Sequence, residues 1–97
     1  MEDNGISPIV LQEIKEIAKK NDVQKVILFG SRARGNYHRA SDIDLAVKGK
    51  DVLGFTFDVK EKTSTLLDFD VVNLADDLQD SFRQQIMKEG VLLYEEI

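Results

Sequence analysis

Residues 42–48, "DIDLAVK", open with two carboxylates in a run that is otherwise apolar as far as Val47. Successive side chains of a strand point to opposite faces, so Asp42 and Asp44 share one face while Ile43 faces the other. Like charges about 6.6 Å apart along a strand repel each other, and burial raises their pKa values. A segment of this kind therefore has to start at an end of a sheet, where something cationic can answer it.

The neighbouring runs narrow the topology. "KVILFG" predicts a strand over 25–29 that stops at Gly30, and only residues 31–41 separate it from Asp42. The two ends must lie close together, which makes these strands antiparallel. A third run, "FDVVNL" (69–74), embeds Asp70 among apolar residues. If Asp70 joins the same cluster, its strand starts at the same edge and lies parallel to 42–48. Parallel neighbours need a crossover of a dozen or more residues, usually a helix. Residues 51–65 are accordingly read as helical, although Phe55, Phe57 and Val59 also alternate as in a strand.

Ser7-Pro8 starts a helix over 8–20, with serine as cap, proline in the first position, and Val10, Ile14, Ile17 and Ala18 on one face. A last helix is expected over 77–89, with Leu78, Phe82 and Ile86 on one face and Gly90 as its stop. "VLLYE" then closes a fourth strand. The predicted fold class is α/β (α+β): a small mixed sheet of about four strands flanked by helices, with residues 1–97 forming a single domain.

Composition bounds what such a chain does. Ninety-seven residues bury one modest core. The absence of cysteine excludes disulfides and thiolate metal sites. No apolar run approaches the roughly 18 residues of a membrane span, and "MEDNGIS" is unlike a secretory signal. A cytoplasmic location with no membrane association is the expectation. The net charge of -5 argues against general nucleic-acid binding. Yet Arg32, Arg34 and Arg39 fall in one acid-free stretch with His38, which keeps a nucleic-acid acceptor open as the less favoured case.

A lone D-x-D is a weak signal, because acid pairs are common on surfaces. Here the pair heads an apolar strand, and Asp70 sits in the next one. Hard oxygen ligands of this kind suit Mg²⁺. Asp68 lies two residues before Asp70 on the same face and competes with it as the third carboxylate. Asp70 is preferred, since Asp68 falls at the strand entrance where solvent reaches it. Gly30-Ser31 lies at the same edge, where a tight glycine turn leaves N–H groups and a hydroxyl facing a ligand. A helical turn beginning at Ser31 favours an anion. A phosphate cradle beside an acid cluster makes a site for a nucleoside triphosphate. It is not a Walker A loop: Gly49-Lys50 is followed by Asp51, with Asp44 where the first glycine belongs.

"GSRARG", five residues, and then "SDIDLAV" resembles the signature of the minimal nucleotidyltransferases of the DNA polymerase beta superfamily. The resemblance covers nearly the whole chain, and Gly30, Ser31, Gly35, Ser41, Asp42, Asp44 and Asp70 all match. It implies an enzyme in which Asp42 and Asp44 bridge two Mg²⁺ ions, with Mn²⁺ as a substitute. Asp70 would complete the catalytic metal site and assist deprotonation. Gly30, Ser31, Arg32 and Ser41 would form the nucleotide-binding set, with Arg32 or Arg39 neutralising developing charge; Arg34 reads as a surface residue. The implied reaction moves AMP from ATP to a hydroxyl, with pyrophosphate leaving. The implied partner is an all-helical protein of the HEPN or substrate-binding type, in a pair where the nucleotidyltransferase is an antitoxin. The alternative is a non-catalytic binding or nucleotide-sensing module that regulates a partner by contact.

Overall fold

In the computed structural model, which describes residues 4–97, the first helix is α1, Pro8–Lys20. Its start is set as the sequence suggests: Ser7 Oγ accepts from the Val10 N–H at 3.3 Å, and Val10, Ile14, Ile17 and Ala18 are buried. The remaining elements are β1 (Val23–Phe29), α2 (Gly30–Arg34), β2 (Ile43–Gly49), α3 (Val52–Lys62), β3 (Phe69–Asn73), α4 (Asp80–Glu89) and β4 (Val91–Glu95). The sheet order is β3-β2-β1-β4. Strands β1 and β2 are antiparallel, β2 and β3 are parallel with α3 as the crossover, and β4 pairs antiparallel with β1.

Strand alternation divides the core between the two faces of the sheet. Val26, Leu28, Ile43, Leu45, Val47 and Phe69 pack with α1 and α3, where Ile14, Phe55 and Val59 are fully enclosed. Burying side chains of this size contributes about 1.5–3 kcal/mol each. Ile27, Ala46, Leu74 and Ile86 form the opposite cluster with Phe29, Leu78 and Phe82, under α4. Phe29 and Phe82 meet edge to face, with centroids 5.8 Å apart. Among the described residues, no helix is long and apolar enough to cross a membrane.

Boundaries move where side chains compete with the backbone. Helix α3 ends at Lys62, short of the expected 65. Thr63 Oγ1 donates to Val59 O at 2.7 Å, and Ser64 donates through both N–H and Oγ to the Glu13 carboxylate. Such local bonds offer the chain an alternative to helix, and Leu66, just beyond them, is exposed. Helix α4 begins at Asp80 rather than Asp77. Residues 74–79 form a turn held by Arg83, which donates to the carbonyls of Leu74 and Asp76, both at 3.0 Å. Strand β1 starts two residues earlier than expected, at Val23, and β2 one residue later, at Ile43, so Asp42 sits in the loop just before it.

Candidate active site

The parallel register of β2 and β3 sets Asp44 directly opposite Asp70, and the antiparallel register of β1 and β2 sets it opposite Phe29. Asp44 thereby projects from the α4 side of the sheet, the face of Ala46 and Phe29. Asp42 precedes β2, near enough for its charge to act on Asp44. Asp68 precedes β3, and its carbonyl accepts from the Ile43 N–H at 2.9 Å, clamping the start of one strand to the other.

The electrostatics of this edge centre on Asp44. Partial burial pushes its carboxyl above the usual carboxylate range, repulsion from Asp70 and Asp42 adds to that, and Arg34 and Arg32 partly offset it. Gly30, at the end of β1, has a φ of 75° and lies so close that a Cβ there would land on the Asp44 carboxylate. Only glycine holds a left-handed conformation without cost while bringing backbone this near a side chain. Helix α2 follows as a single short turn. It is closed by Gly35, at φ 88°, whose N–H donates to Ser31 O at 2.9 Å. Ser31 is half-buried at its start.

Arg32, expected among the nucleotide-binding residues, turns inward instead. It is 2% exposed, and its guanidinium donates to Ser41 O at 2.9 and 3.1 Å, to Asn4 O at 3.0 Å and to Arg39 O at 3.2 Å, while lying over the Tyr37 ring. Ser41 Oγ accepts from the His38 N–H at 2.8 Å. Arg32 and Ser41 thus shape the loop that delivers Asp42, and their polar atoms are engaged with protein. The fork geometry of arginine suits several backbone carbonyls at once, which the charge run alone does not reveal.

Arg34, which the sequence presents as a surface residue, pairs with Glu89 of α4 at 3.2 Å, and its charge is the larger of the two cationic influences on Asp44. The available signal was its position four residues after Gly30, on the same face of the short helix. Arg39 contributes a backbone carbonyl to Arg32.

Two cavities open at this end of the sheet, one beside Gly30 and one beside Asp42 and Asp70. One of about 150 Å³ is bordered by Phe29, Gly30, Arg34, Phe82 and Glu89. The other, about 480 Å³, is bordered by Asp42, Lys60, Glu61, Asp68 and Asp70. Among the described residues, no three acidic or imidazole side chains already converge tightly enough to hold a metal. The fit to a divalent cation is one of chemistry: hard carboxylate oxygens, with Asp44 repelled by both its neighbours.

A mixed sheet with carboxylates on adjacent parallel strands, beside a glycine turn and a short helix, defines a nucleotidyl-transfer class of site. The chain belongs to the polymerase beta nucleotidyltransferase family, whose model matches residues 12–96. It is 35% identical to a relative from Methanocaldococcus jannaschii provisionally named a protein adenylyltransferase, over 74% of this chain and 79% of that one. It also resembles a crystal structure of a toxin-antitoxin with AMP-PNP, at 28% identity and a TM-score of 0.69, covering 89% of this chain and 73% of that one. A crystal structure of the toxin-antitoxin MntA-HpeT, in a variant with two aspartates replaced by glutamate, aligns at 26% identity and a TM-score of 0.68 over the same shares.

Proposed function

We propose that this chain, acting as one catalytic domain in the cytoplasm, transfers AMP from ATP to a hydroxyl of a helical partner protein, as the antitoxin of a toxin-antitoxin pair. The observation that carries the reading is the placement of Asp44 between Asp70 and the Gly30 backbone. The relative named as an adenylyltransferase and the toxin-antitoxin structures support it.

Asp42, Asp44 and Asp70 would hold two Mg²⁺ ions, which when bound neutralise the carboxylates and draw charge from the triphosphate. Backbone N–H groups at Gly30 and Ser31 face the β- and γ-phosphates, and the left-handed glycine lets them approach without a side chain between. Asp70, exposed beside the larger cavity, takes the proton of the acceptor hydroxyl. The hydroxyl oxygen bonds to the α-phosphorus as that atom's bond to the bridging oxygen of the β-phosphate breaks. Pyrophosphate then departs.

The test is label transfer from ATP labelled at the α-phosphate, with Mg²⁺ and native cell extract. A protease-sensitive labelled product that disappears in the Asp42→Asn, Asp44→Asn variant is the expected result. Metal-dependent ATP binding without any transfer would overturn it in favour of a nucleotide-sensing module, and a ribonuclease-sensitive product would move the acceptor to RNA.

A further inference from the structure

Two large apolar side chains on α3 are turned mostly to solvent. Leu53 is 85% exposed and Phe57 61%, against complete burial of Phe55 and Val59 on the opposite side of the same helix. Residues 53, 57 and 60 follow one another at helical spacing, so Leu53, Phe57 and Lys60 form one stripe. The stripe runs beside β3, an outer strand of the sheet. At its Leu53 end lies a cavity of about 540 Å³, bordered by Leu53, Thr56, Val71, Asn73 and Asp76. At its Lys60 end lies the cavity that reaches Asp42 and Asp70.

In-line displacement requires the acceptor to enter opposite the departing pyrophosphate. With the phosphates on the Gly30 side of Asp44, the acceptor comes from the Asp70 side, where the α3–β3 border ends. There Glu61 and Asp68 outnumber Lys60 around the cavity. A phosphodiester backbone is repelled by that balance, whereas lysine or arginine beside an acceptor hydroxyl is attracted.

We infer that the outer face of α3, anchored by Leu53 and Phe57, docks the protein that receives the AMP, and that this protein presents its hydroxyl on a basic segment lying against Glu61 and Asp68. The inference rests on the transferase reading and adds where the acceptor sits and what chemistry it carries.

The experiment compares label transfer from ATP to protein by the intact chain, by the Leu53→Ser, Phe57→Ser variant, by Glu61→Lys, and by Ile9→Ser as an exposed apolar control on α1. The extract is diluted until the rate is proportional to acceptor. ATP binding with Mg²⁺ is measured on each protein, so that loss of fold is seen separately. Transfer roughly tenfold to a hundredfold slower in the α3 double variant, slower in Glu61→Lys, and unchanged in Ile9→Ser, with ATP binding equal throughout, is the expected result. Undiminished transfer by the α3 double variant overturns this inference alone. An equal loss in Ile9→Ser also overturns it, by making the effect non-specific. No label on any protein with the intact chain overturns the transferase reading and this inference with it.

Discussion

Gly30 and Asp44 meet so closely that the carboxylate occupies the space a Cβ on Gly30 would need, while Gly30 itself sits at a φ of 75°. Gly35 has a similar φ of 88°, yet nothing lies within 4 Å of the corresponding position. The pair separates backbone strain from displacement of the carboxylate. Gly35→Ala is expected to cost about 1–2 kcal/mol in unfolding free energy and to keep its transfer rate. Gly30→Ala carries the same strain and in addition moves Asp44, so transfer should fall about a hundredfold. Denaturant melts and initial rates on both variants check this; equal rates would show that the contact does not matter to the site.

Asp44 is raised above the usual carboxylate range, first by burial and then by Asp70 and Asp42. A folded-state pKa above the unfolded one means that the group's stabilising contribution is full below about pH 4. That contribution is lost as pH rises through the folded value. Without divalent cations, Asp44→Asn should therefore melt higher than the intact chain at pH 7, with the gap closing as the pH falls below the carboxylate range. Its transfer activity should be lost. Added Mg²⁺ with ATP should raise the melting temperature of the intact chain and leave the variant nearly unmoved. Thermal melts across pH, with and without Mg²⁺, read all of these effects.

Asp58 behaves in the opposite sense. The Asn21 side chain donates to it at 3.0 Å, Lys62 pairs with it at 3.2 Å and Lys20 at 3.6 Å, joining α1 to α3. The Asn21 hydrogen bond, helped by Lys62 and Lys20, holds its carboxyl below the usual range against the opposing effect of burial. The stability this supplies is present above the ordinary carboxylate pKa of about 3.9 and is lost as pH falls through the depressed value. Asp58→Asn should lower the melting temperature at pH 7, and the difference from the intact chain should shrink on acidification. A difference that persists unchanged at pH 2 would rule this account out.

Arg32 ties Asn4, Arg39 and Ser41 together through their carbonyls. Arg32→Ala strands those acceptors and is expected to destabilise by about 3 kcal/mol, with transfer lost because Asp42 follows the same loop. Arg32→Lys keeps the charge but not the fork, so it should recover only a small part of either property. Full recovery by lysine would assign Arg32 a purely electrostatic role.

Much of the frame is local and was legible. Ser7 and Pro8 start α1 where their chemistry demands, and the apolar run "KVILF" before Gly30 and the carboxylate pair opening "DIDLAV" place the strands. The short connection from Gly30 to Asp42 forces the antiparallel pair. The parallel partner of β2 is the strand whose carboxylate, Asp70, needs the company of Asp44. The C-terminus of α3 and the N-terminus of α4 are not legible in the same way, because Ser64 finds Glu13 and Arg83 finds the turn at 74–76, partners that helical periodicity does not encode.

By itself, the sequence determined which residues alternate, where glycine permits a tight turn, and that Asp42 and Asp44 share one strand face, since these follow from backbone geometry over a few residues. The tertiary structure alone decided that Arg32 is buried against backbone carbonyls while Arg34 reaches Glu89, and that Leu53 and Phe57 are left facing outward. Two arginines two residues apart look alike in a chain, and so do the apolar residues of a helix. What distinguishes them is which carbonyls, charges or empty spaces the rest of the fold brings alongside.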